Sequence, residues 1–199
     1  MHAVAHDHQL RALLKARLGT QTGGDDLVVD ELLLAYGNVR ADVALLNGHL
    51  EGFEIKAGSD TLARLPHQVE AYDRVFEFSS VVTTRAHLAD VRRLVPASWG
   101  LLVASSDGIS AALVSVRRPK PNNRRDAEHL TRLLWRAELL AKLDQLGLSR
   151  GLKRKPKIAL YAALAAALPI PELSDYVRLS LKSRASWRAD AALRVCGDL

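Results

Sequence analysis

The chain has 199 residues, 48% of them hydrophobic and 25% charged, with a single cysteine and a net charge of +6. A chain of this size buries roughly 70% of its unfolded surface, so the composition speaks for a globular fold and against wholesale disorder. It excludes an internal disulfide framework and a cysteine-ligated zinc site, and no apolar run approaches the length of a membrane span. The first residues, Met1 to Asp7, lack a basic region followed by an apolar stretch. The expectation is a cytoplasmic protein without a secretory signal.

In chain order, Leu10, Leu13, Leu14 and Leu18 place one apolar face on a helix over residues 5–18. Gly19 closes it. Residues 27–36 read as a strand, and residues 40–46 and 50–56 form two more around Asn47-Gly48, a strong hairpin signal. Ala57-Gly58-Ser59-Asp60 breaks the sheet, and Ser59 or Asp60 is expected to cap a helix that runs to about Phe76. Ser80 to Thr83 is a short strand, Arg85 to Leu94 a helix, Gly100 to Ala104 a buried strand, and Ser110 to Val116 its antiparallel mate across Asp107-Gly108. This alternation predicts an α/β or α+β fold on a mixed sheet.

Composition changes after Val116. Residues 1–115 hold 10 Lys and Arg against 14 Asp and Glu, whereas residues 116–199 hold 18 against 8. A basic half beside an acidic half suits a protein that grips a polyanion with one part. Two units follow, a core over 1–116 and a basic helical extension over 117–199 packed on it. The extension reads as one long helix from Asp126 to Leu146, then helices over Ile158 to Ala167 and Ser174 to Ser183. Basic clusters flank the long helix at Arg117 to Arg125 and Arg150 to Lys157. A helix of 21 residues would hold them about 30 Å apart.

The chemistry concentrates in Asp42 and in Glu54-Ile55-Lys56. Cleavage of a phosphodiester by a divalent metal needs hard oxygen ligands converging on one ion. It also needs a charged group to hold the attacking water or the scissile phosphate. Glu54 and Lys56 lie two apart on a strand and share a face. A two-residue turn at Asn47-Gly48 would pair 42 with 53 and turn Asp42 away from Glu54. A three-residue loop, with Gly48 left-handed in a bulge, would bring Asp42 and Glu54 together. Asp60, Arg64, Gln68 and Tyr72 recur every four residues and predict a polar stripe on the following helix.

An Asp followed across a hairpin by Glu-X-Lys resembles the PD-(D/E)XK nuclease superfamily. Gln68-Val69-Glu70-Ala71-Tyr72 resembles the Gln-X-X-X-Tyr helix motif of one of its branches. The run Gly52 to Lys56, with Leu65-Pro66 and Gln68, Trp99-Gly100 and Leu133 to Arg136, looks most like a small bacterial and phage branch. The resemblance implies a restriction-endonuclease-like core, Mg²⁺ or Mn²⁺, and DNA hydrolysis by a metal-activated water. On it, Asp42 and Glu54 hold the metal with the Ile55 carbonyl. Lys56 orients the water, and Gln68 and Tyr72 complete the catalytic set. Ala41 stands where the superfamily usually has proline. No glutamate occurs on the first helix, so the early acidic residue is Glu31 on the first strand or Asp7. Arg64, Arg124, Arg125, Lys153, Arg154, Lys155 and Lys157 are candidate DNA contacts. A homodimer is one way to cut both strands. Removing Asp42, Glu54 or Lys56 is expected to abolish cleavage and leave folding intact. The alternative is a catalytically silent module of a phage or mobile element that binds DNA or protein.

Overall fold

The computed structural model describes residues 6–20, 23–34, 37–106 and 111–184. The first residue of the expected first helix, the last two of the expected first strand, and the Asp107-Gly108 turn with Ser110 after it lie outside them.

The fold is α/β. Six strands, β1 (Leu27–Leu34), β2 (Val39–Leu46), β3 (Leu50–Lys56), β4 (Phe78–Thr83), β5 (Gly100–Ser106) and β6 (Ala111–Arg117), lie side by side in chain order. The first three and the last two pair antiparallel, while β3, β4 and β5 run parallel. Parallel neighbours require crossovers. Helices α2 (Leu65–Asp73) and α3 (Leu88–Leu94) supply them, and both bury their apolar residues on the same face of the sheet. On the opposite face lies α1 (Asp7–Gly19), whose Leu10, Leu14 and Leu18 pack on Val43, Phe53 and Ile55.

The basic third forms α4 (Ala127–Thr131), α5 (Arg136–Gln145), α6 (Lys157–Ala167) and α7 (Ile170–Ser183). Leu130, Leu139, Leu160, Leu164 and Val177 from these helices join the same apolar cluster as Val29, Ala41, Tyr72 and Trp99 from the sheet side. The linker into this region is pinned from below α2. Asn122 donates from its side-chain amide to the carbonyls of Asp73 (2.7 Å) and Phe76 (2.9 Å). Among the described residues no helix is long and apolar enough to cross a membrane.

Two expectations about helices are corrected. The helix after β3 starts at Leu65, not at Ser59 or Asp60. Asp60 instead accepts the Ala57 N–H (2.8 Å) and closes a turn, and Pro66 opens the helix where its missing N–H costs nothing. The single helix over Asp126 to Leu146 is two helices, parted at residues 132–135. Leu133 and Leu134 both turn into the core there, and the Trp135 N–H is capped by Glu138 (2.7 Å). Arg184 donates to the freed Leu133 carbonyl (2.8 Å). The basic clusters are therefore not the two ends of one straight rod.

Candidate active site

The site is built where β2 and β3 part. Their pairing runs from Leu46 opposite Leu50 to Val43 opposite Phe53, so the loop is Asn47-Gly48-His49, three residues. Continuing that register sets Asp42 opposite Glu54. Asn47 makes the loop: its Oδ1 accepts the His49 N–H (2.7 Å) and its amide donates to Glu51 (2.8 Å). Gly48 has no positive φ, so the expected left-handed bulge is absent and the Asn47 side chain does the turning.

Beyond Val43 the ladder is replaced by a side chain. Asp42 Oδ2 accepts the Ile55 N–H (2.7 Å), which would otherwise seek a β2 carbonyl. The N–H and C=O of one extended residue point to the same side of the strand. The Ile55 carbonyl therefore turns into the fork beside Asp42.

A second irregularity lies across the same point. Val29 and Leu32 are three apart on β1 yet belong to one cluster, as do Ala41 and Ala44 on β2. Strict alternation would send each pair to opposite faces. The reset falls at Glu31 and Asp42, which the β1–β2 register places opposite each other. Glu31 carries it with φ at +54°, a left-handed conformation that costs a non-glycine residue about 1 kcal/mol.

The opposite wall is charged and buried. Glu54 is 1% exposed and Lys56 4%. Lys56 Nζ donates to Glu54 Oε1 (2.7 Å) and to Gln68 Oε1 (2.9 Å). The Tyr72 hydroxyl donates to Glu54 Oε2 (2.7 Å) and accepts the Asp42 N–H (3.3 Å). Burial, then the negative charge of Glu54, pushes the Asp42 carboxyl up to about 7, against the pull of the Ile55 N–H, Arg11 and Lys56. Burial and the Glu54 charge likewise hold the Tyr72 phenol well above its ordinary value. Tyr72 is thus a neutral donor that orients Glu54.

Sequence reasoning missed Arg11. From α1 it reaches β1 and β2 and donates to the Asp42 carbonyl (2.6 Å), Asp42 Oδ1 (3.5 Å) and Glu31 Oε1 (3.2 Å). Burial works against its charge, but Asp42, Asp7, Glu31 and Asp30 outweigh that and raise its pKa. Glu31 and Asp42, its partners in the site, are 20 and 31 positions away in the chain, and an arginine between Leu10 and Leu14 gave no sign of them.

Of the expected site residues, Asp42, Glu54, the Ile55 backbone, Lys56, Gln68 and Tyr72 come together. Glu31 reaches the cluster through Arg11, and Asp7 pairs with the same arginine (3.5 Å). The four-residue stripe does not form as expected, because Asp60 lies in the loop and Arg64 stands at the N-cap position, before the first turn of α2. Arg125 is engaged by Glu77 (3.1 Å) and Ser174 (2.8 Å) and is not a free surface cation. Arg124 is 75% exposed near Asp73 (3.5 Å). Lys153, Arg154, Lys155 and Lys157 are exposed.

Among the described residues no three His, Cys, Asp or Glu side chains form a ready metal cage. Mg²⁺ does not require one, since it keeps several waters and binds through one or two carboxylates plus substrate phosphates. Asp42, whose ionisation burial and the Glu54 charge oppose, together with Glu54 and the Ile55 carbonyl, fits that demand.

The architecture is a mixed sheet forked at an acidic pair, with a buried lysine on the carboxylate face. The family model described as Bacteriophage P4 protein cII matches residues 7–196, and the chain belongs to that family. Protein cII of Enterobacteria phage P4 is 27% identical over 162 residues, which make up 80% of this chain and 60% of that protein. The chain thus spans about 60% of the length of this curated relative. A solved structure, the SPO1766 protein of unknown function from Silicibacter pomeroyi, is similar with a TM-score of 0.46 and 18% identity, over 77% of this chain and 97% of that one.

Proposed function

We propose that this chain is a divalent-metal-dependent nuclease that hydrolyses DNA, of the PD-(D/E)XK kind, in the cytoplasm. The observation that carries the reading is the forked register: Asp42 opposite Glu54, the Ile55 N–H on Asp42, and Lys56 on the face of Glu54. Asp42, Glu54 and the Ile55 carbonyl would hold Mg²⁺ or Mn²⁺. A bound ion supplies Lewis acidity toward the scissile phosphate and lowers the pKa of water.

The chain's own residues do the rest. Lys56 is held by Glu54 and Gln68, so its ammonium is oriented for the attacking water or a phosphate oxygen. Tyr72 fixes Glu54 and the backbone of Asp42 at once. Arg11 and Lys56 offset the two carboxylates until a stronger cation arrives. Cutting both strands with one such site calls for two protomers or two encounters, so a homodimer belongs to the proposal.

The test is incubation of plasmid, linear duplex, single-stranded and branched DNA with Mg²⁺, Mn²⁺ or EDTA. Metal-dependent products bearing 5′-phosphates support the reading, and their absence on every form rejects it. One observation favours a silent DNA-binding module instead: both Glu54 oxygens are already engaged, by Lys56 and Tyr72. Calorimetry separates the two, because the silent module binds DNA with strong salt dependence and takes up no Mn²⁺.

A further inference from the structure

The stretch between α5 and α6 carries Arg150, Lys153, Arg154, Lys155 and Lys157, and no acidic residue occurs between Asp144 and Glu172. In the fold it is a built loop. Gly147 (φ +71°) and Gly151 (φ +77°) turn the chain through conformations that favour glycine. The Leu148 N–H reaches the Leu143 carbonyl (2.8 Å), the Leu152 N–H that of Ser149 (3.0 Å), and the Lys155 N–H that of Leu152 (2.9 Å). Leu152 packs against the core. Ser149 donates to Asp144 Oδ1 (2.6 Å).

Arg136 closes the structure. It donates from Nη1 to the Lys155 carbonyl (2.9 Å) and from Nη2 to the Lys153 carbonyl (2.7 Å). Arg136 is the first residue of α5. A cation at that end opposes the helix dipole, so helix stability does not account for it. Its planar fork spans two carbonyls and sets the backbone from which Lys153, Arg154 and Lys155 project. Those three side chains are exposed and have no acidic partner among the described residues. Elsewhere Arg11, Lys15, Arg125, Arg178 and Lys182 pair with carboxylates. Uncompensated like charges on a fixed backbone repel one another and are relieved by a polyanion.

We propose that residues 150–157, the loop after α5 and the first residue of α6, form a preorganised ridge for the phosphate backbone of DNA, with Arg136 as its positioning residue. The ridge carries no base-reading geometry and needs no metal, so it binds sequences alike. It rests on the nuclease reading only for the choice of DNA as partner. Binding measured in EDTA does not depend on whether the fork cuts.

The experiment is fluorescence anisotropy with a labelled 25-base-pair duplex in EDTA, over a series of NaCl concentrations. Joint Lys153→Gln, Arg154→Gln, Lys155→Gln and Lys157→Gln substitution lowers the slope of log affinity against log salt by about three to four. Arg136→Lys keeps the charge and loses the fork, so it weakens binding about three- to tenfold with the slope unchanged. Thermal unfolding is followed in parallel. Unaltered affinity and slope in the quadruple variant overturn the ridge. Parent-like affinity in Arg136→Lys overturns its positioning role, whatever its melting temperature. Binding of the parent to phosphatidylserine vesicles, with none to the duplex, overturns the choice of partner.

Discussion

Asp42 and Glu54 face each other with Lys56 as the buried cation between Glu54 and Gln68, and this sets what each substitution does. The expectation that Glu54 and Lys56 could be removed without harm to folding is corrected by their burial. Lys56→Ala strands the Glu54 carboxylate and is expected to cost about 3 kcal/mol of stability besides cleavage, measured by urea denaturation. Tyr72→Phe keeps the ring against Phe76 and Trp99 but withdraws the donor from Glu54. It is expected to cost about 1–3 kcal/mol. Asp42 is the safer probe, because Asn at this position keeps an oxygen for the Ile55 N–H and removes the charge that Glu54 opposes.

The raised Asp42 carboxyl also makes stability depend on pH. A carboxyl with a folded pKa above its unfolded value binds its proton more tightly in the native state. Its contribution is full below the unfolded value near 4 and is lost as pH rises through about 7. Metal-free protein is therefore expected to lose melting temperature between pH 4 and pH 7, and Asp42→Asn to flatten that decline. Mn²⁺ competes with the proton for the same oxygens, so it should raise the melting temperature more at pH 8 than at pH 5.5. Equal slopes in parent and Asp42→Asn would remove Asp42 as the source.

At the scale of elements, the site depends on how closely the turn that follows α2 lies on β3. A Cβ on Gly52 would stand 2.4 Å from Phe76, which is fully buried and has nowhere to move. Gly52→Ala is expected to cost about 1–3 kcal/mol by overpacking and to lower activity by lifting α2 and Gln68 from Lys56. Urea denaturation and a cleavage assay read the two effects. The strands were legible from local pattern because Leu50 to Lys56 and Ser80 to Thr83 alternate or run apolar between clear breaks. The hairpin loop was open, since Asn-Gly speaks for two residues and only the Asn47 side chain, closing on His49, decides for three. The break between α4 and α5 had a trace in the five-residue step from Leu134 to Leu139. The contact that holds it, Arg184 on Leu133 and Glu138, comes from the residue after α7 and has no local signal.

For the whole molecule, the acidic and basic halves of the sequence are not separate bodies in the fold. One apolar cluster runs from Val29 through Tyr72 to Leu164 and Val177. Thermal unfolding is expected as a single transition, and Leu164→Ala should lower all of it, by about 2–5 kcal/mol. Two resolved transitions in calorimetry would contradict a shared core. The charge asymmetry was readable from composition, whereas Arg125 became an internal partner of Glu77 only once the chain had folded. The fork was readable as Asp, Glu and Lys in the right order. The reset of both strands at Glu31 and Asp42 was not, because alternation breaks there on two strands at once.

The most direct test of the forked site is cleavage of a labelled duplex against Mn²⁺ concentration, by the parent and by Asp42→Asn, with folding of both checked by circular dichroism. The account predicts products that rise with Mn²⁺ in the parent, vanish in EDTA, and fall at least about 100-fold in the folded Asp42→Asn protein. Equal cleavage by the two proteins, or a folded parent that cuts nothing at any Mn²⁺ concentration, would contradict it.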